Sequence, residues 1–294
     1  MPMRGRTDPD GEGGRLSPPA DVTFGPVSPD RPAVKYRLPR HELAFFPGPV
    51  GPESHPTAWT FPAWLRNERV PWLMTIEKLY GLPAAFPASV SPEAGLLLFS
   101  LVRNIRPRTV VEVGTFLGVS TIWMAAALED IGDDPVVSGD AAGRVGHLHT
   151  IDTFEDLPES GWRTDAATGR AEAVDLHLAE AGVRGRVTVH TGRSWEVLRA
   201  SRDGWREAGG VQLALLDGDH SAEGLRRDLI ELEPALPTGG YVVVHDTSPE
   251  RCGGHVGGRH LLEHINDFAA GLYEHIEIGL APLNYGLGVF RRLG

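Results

Sequence analysis

In the stretch LLDGDHSAEG, Leu215 to Gly224, two carboxylates and an imidazole, Asp217, Asp219 and His220, follow directly on a short apolar run. An imidazole with an ordinary pKa of about 6.5 accepts a proton at neutral pH, so His220 has the chemistry of a general base. A second run, GYVVVHD, ends in His245 and Asp246, the latter 29 positions after Asp217. Oxygen ligands from two such strand ends, with water or substrate completing the shell, suit Mg²⁺ and similar hard cations. The plainer alternative is that Asp217, Asp219 and His220 cap a helix beginning near Ser221, because Asp and Ser are favoured caps. Asp219 is assigned to that role.

A second constellation lies in VVEVGTFLGVST, Val110 to Thr121. Gly114 lets the chain turn sharply, and Gly118 lets a helix start close against a ligand, with Thr115 and Phe116 in the turn between them. Ser120 and Thr121 then offer hydroxyls at the helix N-terminus, where free backbone N–H groups favour an anion such as a carboxylate. The spacing is G-x-x-x-G, which departs from the G-x-G-x-x-G of a dinucleotide fingerprint. Glu112 sits inside the apolar run, where a carboxylate is costly unless it meets a cation or donors. Asp152, in TIDTFED, stands where an acidic residue accepts from a ribose diol. Together these residues point to a nucleoside that carries a positive charge and an amino-acid carboxylate. The alternatives are that Glu112 pairs with a local Arg or Lys and that Asp152 caps a turn.

The elements that must position these residues alternate in type. Apolar runs at 109–114, 147–152, 186–192, 211–217 and 240–246 are separated by helical stretches at about 118–130, 168–182, 194–208 and 221–235. Such alternation implies βαβ units and a mainly parallel sheet covered on both faces, with ligands outside the carboxyl ends of the strands. SPEAGLLLFSLVRNIRP, Ser91 to Pro107, reads as a helix with a Ser cap and Pro at its first position. A helix at 258–271 and a closing hairpin of YEHIEIG and LGVFRRL complete the pattern.

The chain is 294 residues long, with 39 acidic and 28 basic residues and a formal charge of -11. No run of five or six Lys or Arg occurs, so the footprint of a nucleic-acid binder is missing. No apolar run reaches the ~18 residues of a membrane span, and the N-terminus lacks the apolar core of a signal peptide. Cys252 is the single cysteine, in keeping with a reducing, cytoplasmic setting. Residues 1–40 read as a flexible tail; up to Pro32 they hold seven prolines and five glycines with hardly any apolar periodicity. Residues 41–90 contain Phe45, Phe46, Trp59, Phe61, Trp64, Trp72 and Tyr80 and read as an aromatic cap or a lid over a pocket. Residues 91–294 form the main domain.

The series VVEVGTFLGVST, HTIDTFED, VTVHTGRSWEVL, LLDGDH and GGYVVVHD, in this order, resembles the motif series of class I S-adenosylmethionine-dependent methyltransferases. The resemblance covers roughly 91 to 292. It implies a doubly wound, Rossmann-like α/β sheet of strand order 3-2-1-4-5-7-6 with the last strand antiparallel. It also implies that Glu112 and Gly114 lie near the methionine amino group, Ser120 near its carboxylate, Asp152 on the ribose, and Ser194 and Trp195 around the adenine. Asp217 would face the cofactor. The interval between Glu112 and Asp152 is longer than is usual and reads as an inserted loop.

Within that class the chain is most similar to the catechol-type and the macrocin and mycinamicin sugar-type O-methyltransferases. The resemblance implies Mg²⁺ on Asp217 and Asp246, with His245 standing where the sugar enzymes have an acid, and a base at His220. The expected activity is methyl transfer to a hydroxyl of a small molecule such as a sugar-bearing or natural-product intermediate, with a homo-oligomer open. The runner-up is N-methylation of an amine without metal. Two further readings are a zinc metallohydrolase through HLLEH, His260 to His264, and a nucleoside-binding protein without chemistry.

Overall fold

Thr109–Val113 is buried along its whole length, as an inner strand of a sheet covered on both faces must be, and it forms β1, third in the order of a seven-stranded sheet. Residues 59–132, 146–155, 171–249, 251–252, 254–279 and 285–294 are described by the computed structural model. The chain divides into two units, Met1–Ala33 and Val34–Gly294, and every described residue belongs to the second. The expected tail, Phe45, Phe46 and most of the expected inserted loop lie outside the described residues.

The remaining strands are β2 (His147–Asp152), β3 (Val187–Thr191), β4 (Leu213–Leu216), β5 (Tyr241–His245), β6 (Tyr273–Ile278) and β7 (Leu287–Arg292). Their order is β3-β2-β1-β4-β5-β7-β6, and β7 runs antiparallel to both of its neighbours while β1 to β5 pair in parallel. The order reverses between β1 and β4. Both strands end at that switch point, where an open α/β sheet holds its ligands.

The described residues include seven α-helices: α1 (Pro71–Tyr80), α2 (Pro92–Ile105), α3 (Val119–Gly132), α4 (Ala171–Glu180), α5 (Ser194–Glu207), α6 (Ala222–Leu232) and α7 (Gly257–Phe268). Ser91 caps α2 by accepting the Ala94 N–H at 3.2 Å, and Arg106 ends it in the left-handed region. None of the described helices is long and apolar enough to cross a membrane.

Helix α3 is buried from Val119 to Leu128 without a break, because the sheet covers one side and α2, together with α1 of the aromatic segment, the other. Trp72 stacks on Phe99 at 5.5 Å and meets Trp123 edge-on at 5.3 Å, and the Trp123 indole N–H donates to the Tyr80 hydroxyl at 3.2 Å. Gly95 makes room for this. A Cβ there would lie 2.1 Å from Trp123 Nε1, so a residue that helices disfavour is required by the packing. Trp64 takes no part and is 72% exposed.

Candidate active site

The turn after β1 is built from backbone that only glycine adopts easily: Gly114 has φ +93° and Gly118 φ +84°. A Cβ on Gly114 would lie 2.2 Å from the Asp217 carbonyl oxygen, so the turns after β1 and β4 touch at the switch point. Behind them Glu112 is fully buried. It is held by three hydroxyls, Ser120 at 2.5 Å, Thr121 at 2.5 Å and Thr150 at 2.6 Å, and the Thr115 hydroxyl lies 2.5 Å from that of Thr150. Burial pushes the Glu112 carboxyl up to about 7, against those donors. Ser120 and Thr121 therefore serve Glu112 first. Thr121 is wholly buried and acts on a ligand only through that carboxylate.

Asp152 ends β2 and ties two loops together, accepting the Phe116 N–H at 2.8 Å and the Phe154 N–H at 2.9 Å. Both phenylalanines are in the left-handed region, at φ +48° and +52°. Ser194 opens α5 and donates to Asp228 at 2.6 Å, and the ring of Trp195 lies under the guanidinium groups of Arg199 and Arg227 at 5.4 and 5.6 Å. Asp228 has no counterpart in the sequence reading. It is buried on α6, and burial pushes its carboxyl up to about 7.

At the ends of β4 and β5 the polar residues separate by role. Asp219 accepts the Ser221 N–H at 2.9 Å and Ser221 accepts the Gly224 N–H at 3.0 Å, so these two start α6. His220 turns to Asp246 instead, with its Nδ1 3.2 Å from Asp246 Oδ2. Asp246 sits at φ +59°, a costly backbone for a residue with a side chain, and Gly258 packs so closely beneath it that a Cβ would meet its carbonyl at 2.7 Å. The same Asp246 Oδ2 accepts from His255 Nδ1 at 2.9 Å. His255 and His220 stack, with centroids 4.5 Å apart and planes 13° apart. No local sequence pattern signals this His255 contact, which the fold makes across the loops after β4 and β5.

His245 is buried between two carboxylates, its Nδ1 3.1 Å from Asp217 Oδ1 and 3.0 Å from Asp246 Oδ1. Burial opposes a charge on this ring, but Asp217 and Asp246 outweigh it and hold the His245 pKa well above its ordinary value. Asp246 is likewise held below the usual carboxylate range, in spite of burial, by His245, His255 and His220. Tyr285 stands 6.2 Å from the His245 ring and 6.2 Å from Trp59, whose indole N–H is shared between the Ala85 and Ser89 carbonyls. Through that pair the aromatic segment reaches the site.

Two groups implied by the motifs can be tested against these residues. For S-adenosylmethionine the fit is good: a glycine turn whose Gly114 leaves no room for a Cβ, a half-exposed Asp152, and Asp217 touching that turn through its backbone. For Mg²⁺ on Asp217, His245 and Asp246 it is poor. The place an ion shared by the two carboxylates would take is held by the His245 nitrogen, and a buried imidazole is not a magnesium ligand. Among the described residues, one group of three brings its ligand atoms within 4.8 Å of one another, and it is His220, Asp246 and His255. His260 and His264 face each other at 4.9 Å on α7 and are outside that group, which leaves the metallohydrolase reading without a described third ligand.

Residues 111–247 match a family model described as a methyltransferase domain, from within β1 to just beyond β5. Among solved structures, the chain is similar to the O-methyltransferase TomG from Streptomyces achromogenes, involved in tomaymycin synthesis and solved in complex with SAM. The TM-score is 0.52 at 24% identity, over 78% of this chain and 91% of that one. An O-methyltransferase from Bacillus cereus in complex with SAH gives a TM-score of 0.54 at 18% identity, over 75% and 91%. A putative O-methyltransferase from Klebsiella pneumoniae gives 0.52 at 21%, over 80% and 92%. What these structures share with the chain is the fold, a sheet of order 3-2-1-4-5-7-6, and within it residues 111–247 are matched as a methyltransferase domain. The residues matched as a methyltransferase domain enclose Glu112, Gly114, Asp152, Asp217, His220 and Asp246.

Proposed function

We propose that the protein transfers the methyl group of S-adenosylmethionine to a hydroxyl of a small molecule, with His220 as the proton acceptor. The observation that carries this reading is the His220 ring, 31% exposed at the switch point and turned by Asp246 at 3.2 Å. With its Nδ1 proton facing Asp246, the ring keeps Nε2 to take the hydroxyl proton as the acceptor oxygen attacks. S-adenosylmethionine, when bound, supplies an electrophilic sulfonium methyl. Asp152 binds the ribose diol, Ser194 and Trp195 border the adenine, and Glu112 with Ser120, beside Gly114, receives the amino-acid end. Asp217 closes the pocket from the β4 side. No step is assigned to Mg²⁺, because the His245 nitrogen holds its place.

The acceptor in this proposal is a natural-product intermediate, the kind of chemistry in which the similar TomG takes part, and the setting is cytoplasmic, in keeping with a single cysteine. N-methylation of an amine is the second reading, favoured by the same His245 placement, since an amine needs its proton removed and no metal. Turnover of methyl-labelled S-adenosylmethionine over a panel of hydroxylated and amine acceptors, with the products identified by mass spectrometry, separates the two. An O-methyl product bears out the proposal; exclusively N-methyl products contradict it.

A further inference from the structure

His255 has no task in this proton transfer, yet it lies against its centre. Its Nδ1 donates to Asp246 Oδ2 at 2.9 Å, and His220 Nδ1 stands 3.2 Å from the same oxygen. Two imidazoles and a carboxylate are the donor set of the borderline transition-metal dications, zinc and its neighbours, whereas magnesium takes oxygen. The cluster is also prepared for such a ligand. The Asp246 side chain is 8% exposed and collects three rings, its Oδ1 3.0 Å from His245 Nδ1 and its Oδ2 facing both His220 and His255, so the two imidazoles are held together on one carboxylate oxygen. The two rings remain 31% and 29% exposed, which gives an ion a way in. The backbone fixes the frame, with Asp246 in the left-handed region and the His220 carbonyl accepting the Gly257 N–H at 2.9 Å.

We propose that His220, Asp246 and His255 bind a transition-metal dication of the zinc class, and that this ion switches methyl transfer off. The inhibitory half rests on His220 as the proton acceptor. An imidazole that coordinates an ion through one nitrogen has given up that lone pair and carries its proton on the other nitrogen, so it takes none from a hydroxyl. Three protein ligands leave a fourth position for water.

Co²⁺ is the probe, added to the full chain after chelation and followed by calorimetry, visible absorption and, separately, turnover. We expect one Co²⁺ per chain with absorption bands of nitrogen ligation, turnover falling in step with occupancy, and recovery on adding EDTA. His255→Ala should weaken Co²⁺ binding at least tenfold, move inhibition to correspondingly higher Co²⁺, and leave the circular dichroism of the chain unchanged; His255→Asp, which restores a ligand, should recover part of the affinity. Failure to bind Co²⁺ stoichiometrically, or binding indifferent to both substitutions, overturns the site. Turnover that rises with Co²⁺ overturns the inhibitory role. Binding as described, in a chain that methylates no acceptor even when metal-free, keeps the site and removes the methyl-transfer reading on which inhibition rests.

Discussion

Glu112 shows what one residue contributes and how little of it a sequence reveals. A carboxylate inside an apolar run signals a function, and that much is legible; its three hydroxyl partners come from α3 and β2, and their convergence depends on the closed sheet. The same holds for Asp228, whose contact with Ser194 joins two helices, and for His255, which no periodicity marks. The Glu112 environment has a measurable consequence. Its carboxyl is raised to about 7 in the folded chain from 4.5, so between those values the folded state binds more protons than the unfolded one. Stability contributed by the neutral form is complete below about 4.5 and is lost as pH rises towards 7, by roughly 3 kcal/mol. Glu112→Gln should flatten this part of the stability profile relative to the wild type, as urea unfolding at several pH values between 4.5 and 8 would show. Asp152 makes a second case. Asp152→Ala frees the Phe116 and Phe154 amides, and calorimetry should record S-adenosylmethionine affinity lowered by tenfold or more.

At the scale of elements, the five parallel strands and the helices between them were readable because apolar runs and helical periodicity alternate with turn residues. Their ends moved by no more than three residues, and the strand expected at 147–152 not at all; the helix expected at 258–271 spans Gly257–Phe268. The aromatic segment was harder to read. Its prolines hide α1, and nothing local says that Trp72 and Tyr80 meet Trp123 on α3 while Trp59 leans towards Tyr285. Gly95 tests this layer. Alanine is worth about 1 kcal/mol more than glycine inside a helix, but its Cβ would collide with the Trp123 indole. Gly95→Ala should therefore lower stability by about 1 to 3 kcal/mol in thermal unfolding, through overpacking.

For the whole molecule, the net charge and the lack of a basic run lead to an expectation of small-molecule partners, and the motif order led to the class of fold that the sheet then displayed. The ion was not legible in the same way. Asp217 and Asp246 at neighbouring strand ends suggest magnesium, and only the folded chain shows the His245 nitrogen lying between them. Turnover should accordingly survive exhaustive treatment with EDTA and show no gain on adding Mg²⁺, in an assay with any competent acceptor. The central claim is that an S-adenosylmethionine-dependent methyltransferase uses His220 as its proton acceptor, and His220→Ala tests it most directly. Calorimetry should give S-adenosylmethionine binding within about twofold of the wild type while labelled-methyl turnover falls by about 10² to 10⁴; turnover at the wild-type rate in this variant would contradict the account.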